Sequence, residues 1–160
     1  MKNLTHRNRA RARRGEAGVA LVEFALVLPL LMLLLIGGVE IGRYAYFSII
    51  VANAAHAGAQ YGSQNGVSAR DAAGIQAAAQ GDGINGISGL TVTSNPTCAC
   101  WNGSAYSNIP CTAPLSCNSG HPVELISVTV SGTAHSLFNY HVLPSSLAVS
   151  ATTTMRLVAQ

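Results

Sequence analysis

The sequence predicts an α+β chain: a long N-terminal helix able to span a membrane, a short second helix, and a small antiparallel β-sheet with a disulfide-bearing loop. Three observations carry this. Residues 18–39 are apolar except for Glu23 and contain a single proline, Pro29. Small residues then recur at helical spacing as far as Gly62. From Leu90 onward the hydrophobic period drops to two, the change that separates strand from helix.

The first fourteen residues set the topology. Lys2, Arg7, Arg9, Arg11, Arg13 and Arg14 lie there, and beyond Gly18 only Arg43, Arg70 and Arg156 stand against Glu23, Glu40, Asp71, Asp82 and Glu124. The formal net charge of +3 therefore belongs to the tail rather than to the folded part. A nucleic-acid-binding protein carries its basic patch on the folded surface, so no nucleic-acid partner is expected. Basic residues directly before an apolar span are instead retained on the cytoplasmic side of a membrane.

The apolar segment is long enough to cross. About 20 residues of helix cover a hydrocarbon core of about 30 Å, and a helix satisfies its own backbone hydrogen bonds there. Pro29 removes one of those bonds, which a membrane helix tolerates. Glu23 is the exception in the segment: a carboxylate in apolar helix costs about a few kcal/mol and marks a functional position. Its plainer alternative is snorkelling toward the headgroups. An ordinary cleaved secretory signal fits poorly, because the apolar stretch exceeds the usual ~7–15 residues and the nearest A-x-A, Ala52–Ala54, lies far beyond it.

The helix is expected to continue past the membrane. Gly38, Ile41, Ala45, Ser48, Ala52, Ala55, Ala59 and Gly62 recur at alternating spacings of three and four, a heptad seam of mostly small residues. It opens with Gly38-x-x-x-Gly42, a spacing that lets helix backbones approach closely. Continuous helix from Val19 to Gly62 would measure about 66 Å at 1.5 Å per residue, roughly twice the bilayer. The seam packs either on neighbouring helices or on the chain's own domain, and different faces can serve both.

Gly62–Val67 should break the helix, and Ser68-Ala-Arg-Asp71 has the spacing of a capping box opening a helix over 69–80. Gly81-Asp-Gly-Ile-Asn-Gly86 matches G-x-G-x-x-G by letter, but it follows a helix and precedes a strand, the reverse of the phosphate-binding context. It reads as a turn. Leu90–Ser94, Glu124–Ser131 and Leu147–Val158 read as strands. Between the first two lies Asn95–Pro122, with Trp101 and all four cysteines, Cys98, Cys100, Cys111 and Cys117. A loop that long needs cross-links to be ordered. Pairing Cys98 with Cys100 is geometrically poor, which leaves 98–111 with 100–117, or 98–117 with 100–111. Zinc is the alternative, with His121 four residues after Cys117, but C-x-C-x10-C-x5-C lacks the paired C-x2-C knuckles of a zinc site. No metal and no cofactor are expected. His135 and His141 read as loop or strand-edge residues. There is no G-x-S-x-G, no H-E-x-x-H and no carboxylate pair in the sheet region, so the chain is not expected to be an enzyme.

Gly18-Val-Ala-Leu-Val-Glu23-Phe24 resembles the class III signal of pilins, and the longer run from Arg13 to Gly62, with its VEFALVLPLL core and Gly37-x-x-Glu-x-Gly-Arg43, resembles the TadE-like minor pilins of the tight-adherence (Tad) pilus and secretion system. The resemblance implies a pilin-like fold and cleavage by a prepilin peptidase between Gly18 and Val19, leaving Glu23 as the fifth residue. Gly15 is an alternative glycine, but a cut there would make the glutamate the eighth. It further implies that Glu23 and Phe24 serve assembly, the carboxylate pairing with the N-terminal amine of a neighbouring subunit. Partners would be the membrane, the peptidase, other pilin-like subunits and the Tad assembly platform. On this reading residues 1–18 are a leader, 19–62 a transmembrane and extended helix, and 63–160 an exported head, on a single-pass protein of the bacterial inner membrane with its head periplasmic or extracellular. Two other readings remain at this point: a permanent single-pass anchor with an exported binding domain, and an exported enzyme using the Cys/His loop with a metal.

Overall fold

A computed structural model of the chain describes residues 4–81, 86–112, 114–137 and 145–158, with side chains from residue 18 onward. The elements are α1 (Leu4–Gly62), a 3-10 turn (Ser68–Arg70), α2 (Ala72–Gln80), β1 (Ile87–Trp101), β2 (Tyr106–Ile109), β3 (His121–His135) and β4 (Ser146–Arg156). The chain divides into two compact units, Met1–Gly42 and Arg43–Gln160.

The first unit is helical. α1 begins at Leu4 rather than at Val19, so Arg7–Arg14 and the Gly15–Gly18 stretch lie inside it. Arginine and alanine are strong helix formers, and each glycine costs only about 1 kcal/mol against alanine, too little to break the run. From residue 18 to residue 35 every side-chain position is exposed, and the most apolar stretch reaches a mean hydropathy of 2.8. A water-soluble surface does not carry so large an apolar patch. A helix apolar on every side is one whose solvent is lipid or a surrounding core. Pro29 sits within α1 without ending it.

The second unit contains the hydrophobic core. From α1 it takes Phe47, Val51, Ala54, Ala55 and Ala59, which recur with helical period and so share a face. Ile75 and Ala79 of α2, Ile126, Val128, Val130 and Ala134 of β3, and Val149 of β4 belong to the same cluster, with Ala69 and Leu157. The small residues let the backbones come close. A methyl group at Gly58 would lie 3.2 Å from Val128 and 3.3 Å from Ala79, and one at Gly62 would lie 3.0 Å from Ile126. The expected seam therefore divides. Ala55, Ala59 and Gly62 are buried within this unit, whereas Ile41, Ala45 and Ala52 are exposed.

The sheet is antiparallel throughout, in the order β2-β1-β3-β4. Ile126, Val128 and Val130 alternate inward along β3, as expected of a sheet with one covered face. The opposite face carries a field of hydroxyls in register. Thr91 pairs with Ser131 and Thr93 with Thr129 between β1 and β3, while Ser131 pairs with Ser150, Thr129 with Thr152 and Ser127 with Thr154 between β3 and β4. The side chains bond across the strands: Thr91 to Ser131 at 2.7 Å, Thr129 to Thr152 at 2.8 Å, and Thr154 to Ser127 at 3.1 Å. A shift in register between Ser88 and Thr91 is accommodated by Gly89 at φ +62°.

Two expectations change here. The loop expected over Asn95–Pro122 is half strand: β1 runs on to Trp101, β3 begins at His121, and Tyr106–Ile109 adds an unforeseen fourth strand. Pro96 falls within β1 and Pro122 within β3, where β2 pairs only from Cys98 onward and β4 only from Leu125. Each proline thus lies where its strand has a partner on one side alone, which is where a sheet admits proline. The helix expected over 69–80 is also split. Asp71 is not the last residue of a capping box but the N-cap of α2, its carboxylate accepting from the Gly74 amide. The turn expected at Gly81–Gly86 falls largely on residues 82–85, outside the described residues, as does His141.

Candidate functional site

The residues expected to matter in the first unit lie together on α1. Val19 and Glu23 are four positions apart and share one helix face, separated by about 6 Å along the axis. Phe24 lies about 100° further round. Val19 is 62% exposed and Phe24 57%, and Glu23 is also exposed. At Gly18 an added Cβ would meet nothing within 4 Å, so the backbone on either side of the Gly18–Val19 bond is open to approach. Gly38 and Gly42 are equally open. The segment thus offers an uncrowded glycine at its start and a carboxylate about one turn after Val19, set in apolar surface.

A second cluster secures the end of α1 within the other unit. The Tyr61 hydroxyl donates to Asp71 Oδ2 at 2.8 Å, and the Gly74 amide donates to Asp71 Oδ1 at 3.0 Å. These bonds favour the charged carboxylate and hold Asp71 below the usual carboxylate range, the Gly74 amide contributing most. A side chain at residue 74 would have to displace this clamp, because a Cβ there would run into the Asp71 carboxylate and the Tyr61 ring. Neither Gly58 nor this clamp was anticipated. The signal for the first was present as Gly58-x-x-x-Gly62, the same spacing noted at Gly38.

The cysteines lie at the β1–β2 end of the sheet. Cys98 is bonded to Cys111 and Cys100 to Cys117, with Cα separations of 5.2 and 5.8 Å. That is the first of the two pairings left open by spacing. Four disulfide-bonded cysteines offer no thiolate to zinc, and among the described residues no group of three or more potential ligands is arranged for a metal. His121 lies opposite Trp101 in the β1–β3 register. His135 ends β3, where its Nε2 lies 2.7 Å from the Ser88 hydroxyl. Beyond β1, Asn102 Oδ1 accepts from the amides of Ser104 and Ala105 at 3.0 and 2.8 Å, forming the turn into β2. Gly120, at φ +85°, passes so close to the Trp101 carbonyl that any side chain there would collide.

A family model described as TadE-like protein matches residues 18–60. The match begins at Gly18 and ends two residues before the end of α1, so the sheet lies outside it. No curated protein and no solved structure matches the chain.

Proposed function

We propose, from the match of residues 18–60 to TadE-like proteins, that this chain is a membrane-anchored minor pilin or pseudopilin acting in the assembly of a Tad-type pilus or secretion machine. One observation carries the reading. The match starts at the glycine where a prepilin peptidase would cut, and Val19 and Glu23 follow it one turn apart on an exposed apolar helix.

On this reading residues 1–18 are the leader, held in the cytoplasm by its basic residues, and Val19 is the first residue of the mature chain. The anchor crosses the inner membrane once, and residues 63–160 belong to the exported head, with the disulfides formed in the oxidising compartment beyond. Cleavage leaves a new α-amino group at Val19. A carboxylate at Glu23 that meets such an amine on a neighbouring subunit exchanges its desolvation cost for a charge-assisted bond. The role is structural: the helix leaves the bilayer to pack among other pilin-like helices, and the head stands outside. Phe24 would contribute apolar contact beside the charge pair.

N-terminal sequencing of the protein recovered from membranes tests this. The expected mature sequence starts Val19-Ala-Leu-Val-Glu, and a bulky residue in place of Gly18 should leave the precursor uncut. A mature chain that still begins at Met1 overturns the pilin reading and leaves a permanent single-pass anchor with an exported binding domain.

A further inference from the structure

Contacts at its two ends fix how α1 runs beside β3 within the second unit. At one end the Arg43 guanidinium donates to the His135 carbonyl at 3.3 Å and lies 5.3 Å from the centre of the Phe47 ring. At the other, the Cβ position of Gly62 lies 3.0 Å from Ile126. From Arg43 to Gly62 the helix rises about 28 Å, and from Ile126 to His135 the strand covers about 30 Å. The two therefore lie side by side and run in opposite directions, with His135 level with Arg43. β1 and β4 reach the same end. Ile87 and Leu147 both lie opposite Ala134, and the Ser88 hydroxyl is 2.7 Å from His135 Nε2.

Arg43 also stands where the apolar run gives out. Residues 18–39 are apolar but for Glu23, and as helix they rise about 33 Å, enough for a hydrocarbon core of about 30 Å. The headgroup layer beyond it adds roughly 5–8 Å on each side, which about four or five further helical residues cross. Glu40 and Arg43 are the first charges after the run, and Tyr44 and Tyr46 follow. Tyrosine gathers at that boundary, where its ring is sheltered and its hydroxyl is wet. α1 passes from the apolar run to Arg43 without a break.

The surface at this end suits such a position. Tyr44 is 42% exposed, Tyr46 60%, Leu137 57% and Leu147 45%. The ladder continues one pair past β3, the Ser136 amide donating to the Ser145 carbonyl at 3.0 Å. Leu137 comes next, beyond Arg43 on the side from which α1 arrives. Across residues 43–47, 87–89, 133–137 and 145–148 the only ionisable groups besides the tyrosines are Arg43 and His135, and there is no carboxylate to meet lipid phosphates. The opposite end also exposes Val67 and Val158, but there Arg70 and Glu124 lie beside Gly66 and Arg156 closes β4.

We infer that this end of the head, carrying Tyr44, Tyr46, Leu137 and Leu147, is seated in the headgroup layer of the membrane that α1 crosses, so that the partner of this surface is lipid. The inference requires a membrane-spanning α1 and is independent of cleavage and of assembly.

All four cysteines are disulfide-bonded, so one added cysteine carries a nitroxide label selectively. The full chain is reconstituted in vesicles of phosphatidylcholine and phosphatidylglycerol and labelled in turn at Leu137→Cys and Leu147→Cys. Leu34→Cys, in the apolar run, is the lipid control. Gln76→Cys is the water control, an exposed position of α2 beside Ile75, which packs on Gly62. Electron paramagnetic resonance then compares collisions with oxygen, which concentrates in lipid, and with a water-soluble nickel chelate. The expected oxygen-to-nickel ratio at both Leu137→Cys and Leu147→Cys is several-fold above that at Gln76→Cys. A ratio at either position no higher than at Gln76→Cys, with Leu34→Cys still rich in oxygen, overturns the inference and leaves the anchor standing. Nickel access at Leu34→Cys removes the anchor and the inference together. Few collisions with either reagent at Leu137→Cys and Leu147→Cys would mark a contact with protein, and that too overturns it.

Discussion

Leucine at Gly58 is expected to destabilise the Arg43–Gln160 unit, and the amount follows from the space around it. The first carbon of the new side chain would already lie 3.2 Å from Val128, 3.3 Å from Ala79 and 3.3 Å from the Ile75 carbonyl, and three more carbons must follow. Forcing extra carbons into a packed core costs about 1–3 kcal/mol, and contacts on three sides argue for the upper end. Replacing glycine within a helix returns about 1 kcal/mol. The net loss is then about 2 kcal/mol, which for a unit of this size lowers the melting temperature by roughly 8 °C. Gly38→Leu is the control, since nothing lies within 4 Å of its Cβ position. Thermal melts in detergent, followed by the circular dichroism of the strands and by Trp101 fluorescence, separate the two variants. If Gly58→Leu melts with the wild type or above it, helix propensity has outweighed packing, and the close approach of α1 to the sheet is not what stabilises the unit.

Three other outcomes follow from the same contacts and from the proposed assembly. Glu23→Gln should be processed and inserted normally yet fail to co-purify with pilin-like partners, whereas Glu40→Gln should be milder; wild-type co-purification by Glu23→Gln would make the carboxylate a bystander. Replacing Cys100 and Cys117 together by serine removes a bridge closing 17 residues and should cost about 3 kcal/mol, read as a lower urea midpoint for the β1–β2 end. Asp71 has its folded pKa depressed by the Gly74 amide and the Tyr61 hydroxyl, so its contribution is present above the unfolded carboxylate pKa of about 3.9 and is lost as pH falls through the lower folded value. Asp71→Asn should therefore melt below the wild type at neutral pH and approach it in acid; melting curves that stay parallel from neutral to acid pH would refute that linkage.

How far the fold could be read from the sequence depended on how local its cause was. The apolar run and the period-two strands are local patterns, and both appear where they were expected. The seam after Gly38 was legible as a helix, but its partner was not, because Ala55 and Ala59 look alike whether they face another helix or Ile126. The strand around Pro96 and Pro122 was hidden for a similar reason: whether proline suits a strand depends on whether a neighbour lies on that side, and the neighbour is set by residues far along the chain. Asp71 was recognised as a capping residue and assigned to the wrong place in the cap, since a short 3-10 turn occupies Ser68–Arg70 first. The placing of Trp101 opposite both Tyr106 and His121 depends on register between three strands, which no spacing within one segment discloses. For the segment around Gly18 and Glu23 the sequence was the more informative source, because the processing and pairing proposed for it involve partners that a single chain does not contain.

The way the core is divided along the chain has a consequence for biosynthesis. Phe47 to Gly62 are made first, but the β3 residues that cover them, from Ile126 on, come some sixty residues later. At about 5–20 residues per second that face of the helix waits for several seconds without its sheet. Leucines in that position would be a ready target for aggregation or for slipping back into the bilayer. Alanine and glycine expose far less apolar area per turn, so the stretch remains only weakly sticky until the strands arrive. The small residues that permit close packing in the finished protein thus also protect the nascent one, and enlarging them should lower yield even where the final fold can be reached.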